Sequence, residues 1–356
     1  MSNLTRYWGE RGRRMKRFFF LGILVIFLVY LVPLTFQFYQ KKQEEEQVVH
    51  TVGHVEPAQE SQAEDGQNAA DTEAETEITV SVDGHVRALA LEDYVAGAVA
   101  AEMPASFPAE ALKAQAVAAR TYAVYKQSLG QDEAHPDAVL CDDYTHCAAF
   151  VDLDSGAQAL WGSRADEWSG AVRAAVADTA GVIVTYGGQP IAAVFHAAAA
   201  QQTEAAVSVW GTDIPYLSSV ESDGDEACPD YDASVTFGAE EFRQILLRRS
   251  PDINLTGLPE TWFTDIQSSE AGGVTSCRIG GESFAGTEVR ALLGLNSTHF
   301  TVSTTDTSIT FHTEGYGHGV GMSQYGARRM AEEGAGYADI LLHYYSGAAL
   351  SNLADG

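Results

Sequence analysis

A single glutamate at the end of an apolar stretch is the first group with catalytic potential. Glu102 lies in the segment AAEMP, residues 100–104. Apolar surroundings raise the pKa of a carboxyl group and keep it protonated near neutral pH, which is what a general acid requires. The spacing also fits an ordinary solvated glutamate or an ion-pair partner for Arg120. The residues alone therefore leave the role of Glu102 open.

A compact group of histidines and cysteines follows in the chain. Two of each occur within thirteen residues, namely His135, Cys141, His146 and Cys147. Zinc binds four nitrogen or sulfur ligands in a tetrahedron, so these four residues could form a zinc site. A site with four protein ligands has no open position and is structural. A Cys141–Cys147 disulfide outside the cytoplasm and two free thiols are the alternatives, and the spacing does not choose between them.

Polar and aromatic residues between 194 and 217 have the composition of a sugar-binding groove. Aromatic faces stack on sugar rings, and polar side chains bind sugar hydroxyls. The candidates are His196, Thr203, Glu204 and Trp210. A tryptophan in the core and a histidine with satisfied hydrogen bonds are the alternative.

A glycine-rich segment near the C-terminus is the last candidate for the site. The segment GYGHGVGMSQYG, residues 315–326, has five glycines in twelve residues, which permits tight turns and close backbone approach. It is not a phosphate loop, because no Gly-Lys-Ser/Thr follows. The candidate substrate-binding residues here are Tyr316, His318, Gln324 and Tyr325. A structural loop before a helix is the alternative.

The elements that must position these groups include a long helix from about Ser106 to Leu129. Its apolar residues at helical spacing predict a buried face, namely Leu112, Ala116, Ala119 and Ala123. Lys113 and Arg120 are seven residues apart and therefore share another face. They are candidates to orient Glu102 or, with Gln115, to bind glycan oxygens. A solvated or ion-paired helix face is the alternative for Lys113 and Arg120.

The order of elements in the rest of the chain predicts an α+β fold. A hairpin around Asp83-Gly84, further helices over 91–101, 169–179, 237–249 and 323–346, and strands over 181–196 and 260–312 alternate without a regular βαβ period. We therefore expect mixed helices and antiparallel strands around a substrate cleft.

The N-terminal part predicts a membrane anchor. Residues 18–38 contain no charged residue and are long enough to span a bilayer. Residues 1–17 are basic, which places them in the cytoplasm and the body outside it, at the cell membrane. A cleaved signal peptide is the alternative, disfavoured because no small-residue cleavage site follows. Residues 39–77 predict a disordered acidic tether, and residues 78–356 an extracytoplasmic body with a β-rich subregion over 228–312.

Charge and cysteine content exclude two classes of protein. The chain has a formal net charge of −28, which rules out nucleic-acid binding through counterion release. Four cysteines in 356 residues cannot make a disulfide-dense small protein. Whether Cys228 and Cys277 form a disulfide is left open.

Three segments together resemble the SpoIID/LytB family. They are LEDYVAGAVAAEMPASFPAEALKAQAVAARTYAVYK (91–126), a block at 194–222 containing VFHAAAA, VWG and PYLSSVES, and GYGHGVGMSQYGARRMAEEG (315–334). The resemblance spans nearly the whole body. It implies a lytic transglycosylase that cleaves peptidoglycan glycan strands during sporulation engulfment, with Glu102 as the catalytic acid and base. It also implies zinc at the His/Cys group, and stage II sporulation proteins P (an amidase) and M (a membrane protein) as partners.

The chosen mechanism needs only one carboxylate. Glu102 would protonate the glycosidic oxygen and then take the proton of the muramyl C6 hydroxyl, which gives a 1,6-anhydromuramyl end, from glycan that we expect to be peptide-free. The alternative is a non-catalytic peptidoglycan-binding activator of an amidase. A zinc-dependent amidase or peptidase and a membrane-protein scaffold are further rivals.

One departure from the family pattern lies in the second segment. Where the family has a serine- and glycine-rich run, this chain has AAAAQQ, residues 197–202. The missing hydroxyl groups put substrate contacts by this loop in question.

Overall fold

The structure is a computed structural model that describes residues 76–130, 132–143 and 145–355. No helix in these three ranges is long and apolar enough to cross a bilayer. The predicted basic segment 1–17, the predicted membrane helix 18–38 and residues 39–75 of the predicted tether lie outside the described residues.

Nine α-helices lie within the described ranges. In chain order they are α1 (Leu91–Glu102), α2 (Ala109–Leu129), α3 (Leu153–Trp161), α4 (Ala165–Asp178), α5 (Ala206–Trp210), α6 (Ala239–Arg249), α7 (Gly286–Leu293), α8 (Gln324–Glu332) and α9 (Tyr337–Tyr344). Short 3₁₀ turns occur at Gly162–Arg164, Asp225–Ala227, Pro259–Thr261 and Leu353–Asp355.

The strands are short and mostly antiparallel. They are β1 (Glu77–Val82), β2 (His85–Ala90), β3 (Leu140–Cys141), β4 (Val182–Tyr186), β5 (Gln189–Pro190), β6 (Phe195–His196), β7 (Asp232–Gly238), β8 (Phe263–Ser268), β9 (Val274–Ile279), β10 (Glu282–Ala285), β11 (Phe300–Thr304), β12 (Ser308–Glu314), β13 (Met322–Ser323) and β14 (Ala349–Asn352). Their sheet orders are β2-β1-β3, β10-β9-β8, β11-β12-β7, β13-β6 and β14-β4-β5. Only β1/β3 and β13/β6 pair in parallel among these strands. The predicted α+β class is confirmed.

Helix α2 lies between two hydrophobic cores. Its predicted stripe of Leu112, Ala116, Ala119 and Ala123 is buried against α1 and α4. The opposite face, with Val117 and Ala118, packs into a second core with β4, α8 and α9. The many alanines of α2 allow neighbouring helices to approach closely, so one helix carries both cores.

A third core lies within residues 232–314. Aromatic side chains dominate it, and Phe242 contacts both Trp262 and Phe311 with ring centroids 6.0 and 6.1 Å apart. Strands β7 to β12 and helices α6 and α7 enclose this core. The sequence predicted strands over 260–312, and α7 is a helix within that range.

The loop that carries the predicted metal ligands packs on α1 through a glycine. A Cβ atom at Gly97 would lie 2.3 Å from the Phe150 ring and 2.5 Å from the Val151 carbonyl oxygen. The Phe150 ring stacks on Tyr94 with centroids 5.8 Å apart, and the Val151 N–H donates to the Gly97 carbonyl. Only glycine at position 97 lets the loop come this close to the helix.

We predict that Gly97→Ala lowers the free energy of unfolding by about 1–3 kcal/mol, because the added methyl group overpacks this contact. Gly170→Ala in α4 is the matched control, since a Cβ there meets nothing within 4 Å. The control should be neutral or stabilise by up to about 1 kcal/mol. Urea unfolding of the three proteins measures both effects, and equal midpoints for Gly97→Ala and Gly170→Ala would contradict the prediction.

Candidate active site and metal centre

Glu102 is the last residue of α1, and its carboxyl group is half-buried. Met103 has an extended backbone and Pro104 follows it, so helix α1 ends at Glu102. The Ala149 N–H donates to Glu102 Oε1 at 2.6 Å. Burial raises the pKa of Glu102, and the Ala149 hydrogen bond opposes that shift. The carboxyl group therefore has the raised pKa that a general acid needs.

The four predicted metal ligands lie together. Their candidate ligand atoms are all within 4.8 Å of one another. Cys147 Sγ lies 3.3 Å from His135 Nε2 and 3.4 Å from His146 Nδ1, and Cys141 Sγ lies 3.6 Å from His146 Nδ1. A tetrahedral zinc ion separates its sulfur and nitrogen ligands by about 3.5 Å. The group therefore has the donors and the spacing to hold a metal ion.

Groups outside the ligand set fix the two histidine rings. His135 Nδ1 lies 2.9 Å from the Ala138 carbonyl oxygen, which leaves Nε2 for an ion. His146 Nε2 faces Asp132 Oδ2 at 3.4 Å, and Lys126 holds that carboxylate at 2.9 Å. Such outer partners orient ligand histidines in metal sites. Cys141 and Cys147 are free thiols, so the alternative of a disulfide between them is wrong for this structure. Cys228 and Cys277 are free as well.

The metal-ligand loop also reaches the glutamate. Ala149, whose N–H binds Glu102, is only two residues beyond the ligand Cys147. The Phe150 and Val151 contacts with α1 hold the same stretch of backbone. The predicted metal centre and the predicted catalytic residue are thus one connected unit.

Lys113 and Arg120 have other partners than Glu102. Lys113 binds Glu110 at 3.0 Å and Asp178 at 3.1 Å. Arg120 is fully buried and makes a two-point ion pair with Glu92, with Nε–Oε1 at 2.8 Å. The alternative of an ion-paired helix face fits both residues, and Arg120 joins α2 to α1.

The second and third sequence blocks fold against each other. Strands β6 and β13 pair in register, Phe195 with Met322. The glycines of the third block make this possible, because a Cβ at Gly317 would lie 2.7 Å from His196 Cβ and one at Gly321 would lie 2.2 Å from the Val194 oxygen. Both glycines have positive φ angles. Phe195 and Met322 are more than a hundred residues apart in sequence, so two distant blocks form one surface.

Three of the predicted substrate-binding residues form a ring cluster on this surface. The His318 ring lies 5.6 Å from both His196 and Trp210, measured between centroids. Burial lowers the pKa of His196 to about 3 and that of His318 to about 4, so both rings are neutral at physiological pH. The buried His196 Nε2 has no hydrogen-bond partner among the described residues.

Thr203 and Glu204 are buried instead of lining an open groove. The Thr203 hydroxyl accepts a hydrogen bond from the Val220 N–H at 3.0 Å. The Glu204 side chain binds His299, Ser269 and the Gly273 N–H, all through Oε1. Both residues therefore connect parts of the fold, and a direct contact with substrate stays a prediction.

The remaining candidates tie the third block to α2 and to the loop after Glu102. Gln324 Nε2 donates to Gln115 Oε1 at 3.4 Å, and both side chains are buried. The Tyr325 ring packs edge-on against Phe107 with centroids 5.1 Å apart. Tyr316 is exposed at its turn. Of these four, Tyr316 is exposed and Tyr325 is half-buried.

Sequence reasoning missed a buried aspartate that joins the two blocks. Asp225 is 1% exposed and accepts hydrogen bonds from the hydroxyl groups of Ser222, at 2.6 Å, and Ser323. Burial raises its pKa to about 6. Nothing in its surrounding sequence marks it, because the connection to Ser323 comes from a distant segment.

We predict that Asp225 makes stability depend on pH. Its pKa rises from 3.8 to about 6 on folding, so the stabilisation from its protonated form is complete below about pH 4 and lost as the pH rises through about 6. Two pKa units correspond to about 3 kcal/mol. Asp225→Asn should remove this dependence in urea unfolding between pH 4 and 7. The exposed Asp213→Asn should retain it, and parallel stability curves for wild type and Asp225→Asn would refute the assignment.

Comparisons with known proteins agree with the resemblance seen in the sequence. A family model described as "SpoIID: Stage II sporulation protein" matches residues 81–186. Stage II sporulation protein D of Bacillus subtilis (strain 168) is 40% identical over 267 residues, which cover 75% of this chain and 76% of that protein. Stage II sporulation protein D of Bacillus amyloliquefaciens is 39% identical over 266 residues, 75% of each chain. The amidase enhancer of Bacillus subtilis (strain 168) is 27% identical over 308 residues, 72% of this chain but 40% of that protein. The chain therefore belongs to the SpoIID family of stage II sporulation proteins.

Proposed function

We propose that this chain is a membrane-anchored lytic transglycosylase that cleaves peptidoglycan glycan strands to 1,6-anhydromuramyl products during sporulation engulfment. The observation that supports this proposal most strongly is the environment of the half-buried Glu102. Burial raises its pKa, and its Oε1 accepts a hydrogen bond from the Ala149 N–H. Membership of a sporulation family supports a cell-wall substrate. The peptide-free glycan strand is the expected substrate.

Glu102 alternates between its two protonation states in the proposed reaction. The protonated carboxyl gives its proton to the glycosidic oxygen, and the bond from that oxygen to the muramyl C1 breaks. The C6 hydroxyl oxygen of the same sugar attacks C1, and its proton passes to the Glu102 carboxylate. The acid is thus regenerated, and no water is consumed. An internal nucleophile that is already positioned removes much of the entropic barrier.

The two oxygen atoms of Glu102 have different surroundings. Oε1 accepts the Ala149 N–H at 2.6 Å, so Oε2 is the oxygen available to substrate. The backbone donor also stabilises the carboxylate formed after proton transfer. Burial favours the acid form and the hydrogen bond favours the carboxylate, a balance that suits a group that must give up a proton and take one back.

Zinc is the metal that we propose for the His/Cys group. His135, Cys141, His146 and Cys147 would hold it with all four positions filled by protein, which makes the ion structural. A bound zinc ion would cross-link the loop that presents the Ala149 N–H. This supports a structural role and disfavours a zinc-dependent amidase, which needs an open metal position.

The place of action and the partners follow from the same proposal. Residues 18–38 would anchor the chain in the cell membrane as a single span, with the N-terminus in the cytoplasm and the body outside. The proposed partners are an amidase of the stage II sporulation protein P type and the membrane protein of the M type. An amidase that removes stem peptides would supply the peptide-free glycan.

A second candidate function is that of a non-catalytic activator of an amidase. The observation that favours it is the 27% identity to a protein named amidase enhancer, together with the Ala-rich run 197–200. In this case the body would bind peptidoglycan and leave it intact.

We predict that Glu102→Gln in the full-length chain keeps the fold and lowers glycan cleavage at least about 100-fold, because the amide cannot donate and recover a proton. Glu260→Gln, at an exposed position in the 3₁₀ turn Pro259–Thr261, is the control. Products from peptide-free and peptide-bearing glycan are read by mass spectrometry. Anhydromuramyl products from the Glu102→Gln protein would refute the role of Glu102. A wild type that binds glycan without product would support the activator.

The pH dependence of cleavage gives a separate prediction for the same residue. The pKa of Glu102 lies above its ordinary value of 4.5, so the acid form persists to higher pH than for a solvated glutamate. The turnover number should fall as the pH rises through that raised pKa. A pH–rate profile whose alkaline limb has its midpoint at or below 4.5 would contradict it.

We predict that Cys141→Ser and Cys147→Ser each reduce bound zinc to background, because each removes one of four ligands. The matched control is Cys277→Ser, a buried free thiol in the third core. Metal content per chain is measured by mass spectrometry after purification with zinc present. Full zinc content in both ligand variants would show that the group does not hold the ion.

A further inference from the structure

A cleft of about 420 Å³ opens in the β-rich part of the body, away from the elements that carry Glu102. Its walls come from β7, β11, β12, the 200–201 loop and the 271–272 turn. Polar side chains dominate them, namely Gln201, Asp232, Ser234, His299, Thr301, His312 and Glu314. Gln201 has a φ of +70°, a conformation that is costly for a residue with a side chain. A volume of this size suits a small ligand or one to two sugar units.

One wall of the cleft is a histidine held by a buried carboxylate. His299 Nε2 lies 2.7 Å from Glu204 Oε1. Glu204 is 1% exposed, and the same oxygen accepts the Ser269 hydroxyl at 2.8 Å and the Gly273 N–H at 2.9 Å. Burial raises the pKa of Glu204, but the hydrogen bonds from His299 and Ser269 outweigh burial and leave the pKa below its ordinary value. Glu204 is therefore an anion that cannot reach a ligand itself.

The pair fixes which nitrogen of His299 meets the cleft. Nε2 faces the Glu204 carboxylate, so Nδ1 is the ring nitrogen left for a ligand. Nδ1 lies beside Gly272, where a Cβ atom would be 3.5 Å away, and Gly272 and His299 both line the cleft. A Cβ at Gly273 would lie 2.4 Å from Glu204 Oε1, so the two glycines leave room for this arrangement. The ring thus offers an oriented nitrogen that can hydrogen-bond to a ligand.

The rest of the wall also favours a ligand rich in hydrogen-bond donors. Ser234 Oγ lies 2.8 Å from His312 Nδ1, and Thr301 is the register partner of His312 on the other side. Asp232 and Glu314 face each other in register, and both line the cleft. Two facing carboxylates repel an anionic ligand. The lining of this cleft therefore favours a ligand that carries hydroxyl and amide groups and no negative charge.

We propose that this cleft binds an uncharged, N-acetylated sugar unit of the glycan strand, with His299 as the ligand-contact residue and Glu204 as its positioning residue. The proposal rests on the proposed function, because it takes the glycan strand as substrate. It assigns Glu204 an indirect role, through His299, in place of the direct substrate contact expected from sequence.

The test is binding of the N-acetylglucosamine hexamer to the full-length Glu102→Gln chain, so that cleavage does not consume the ligand. Calorimetry should show about fivefold weaker binding for His299→Ala, the loss expected for one hydrogen bond. His85→Ala, at an exposed position in β2, should bind like the parent. Equal affinities for His299→Ala and the parent would overturn the proposal. Tighter binding of a disaccharide-peptide with free carboxylates than of the hexamer would overturn it too.

A double-mutant cycle separates positioning from a merely structural role. Glu204→Gln should weaken binding in the parent but have no further effect in the His299→Ala background, because Glu204 acts through that ring. In histidine-selective ¹⁵N spectra the hexamer should shift the Nδ1 resonance of His299, and Glu204→Gln should reduce that shift. Additive losses and an unmoved Nδ1 resonance would overturn the proposal. If the wild type binds the hexamer through His299 but cuts no glycan, the proposed cleavage activity is refuted while the proposed sugar-binding cleft stands.

Discussion

The hydrogen bond from the Ala149 N–H to Glu102 Oε1 is the constraint on which the proposed chemistry depends. It requires the end of α1 and the metal-ligand loop to meet within 2.6 Å. Two further features maintain that approach, namely the absent side chain at Gly97 and the Tyr94–Phe150 stack, and the candidate metal ligand Cys147 lies two residues before Ala149. A metal ion at the His/Cys group would therefore act on catalysis through the loop backbone, without contact with the sugar.

Close backbone packing imposes a second constraint, between the second and third sequence blocks. The 315–326 segment approaches the 194–204 segment so closely that a Cβ at Gly317 or Gly321 would collide with it. Asp225 then joins the two segments through Ser323, and Ser222 carries the connection to Tyr344 in α9. Gly317 and Gly321 allow the two segments to pack this closely, and the ring cluster of His318 and Trp210 depends on that packing.

Local features of this fold could be predicted from the sequence, and long-range pairings could not. The buried stripe of α2 and the grouping of His135 with Cys147 follow from spacing within one segment, and the α+β class follows from the order of elements along the chain. The partners of Arg120 and Glu204 come from other elements, α1 and the 269–299 region. The helical spacing put Lys113 and Arg120 on a shared face of α2, but it did not predict that Arg120 binds Glu92 in α1. His299 has no motif around it, so only the fold could reveal it.

The Ala-rich run 197–200 shows why a departure in sequence need not alter the scaffold. Its backbone carries the structural contacts, since the Ala197 carbonyl accepts the Tyr325 N–H and Ala198 exchanges hydrogen bonds with Tyr316. Ala198 and Ala199 are buried, so hydroxyl groups there would face the protein interior instead of a ligand. Ala200 and Gln201 are the residues of this loop that line the cleft beside His299. Any effect of the departure on glycan preference should therefore arise at the cleft, while the geometry around Glu102 stays unchanged.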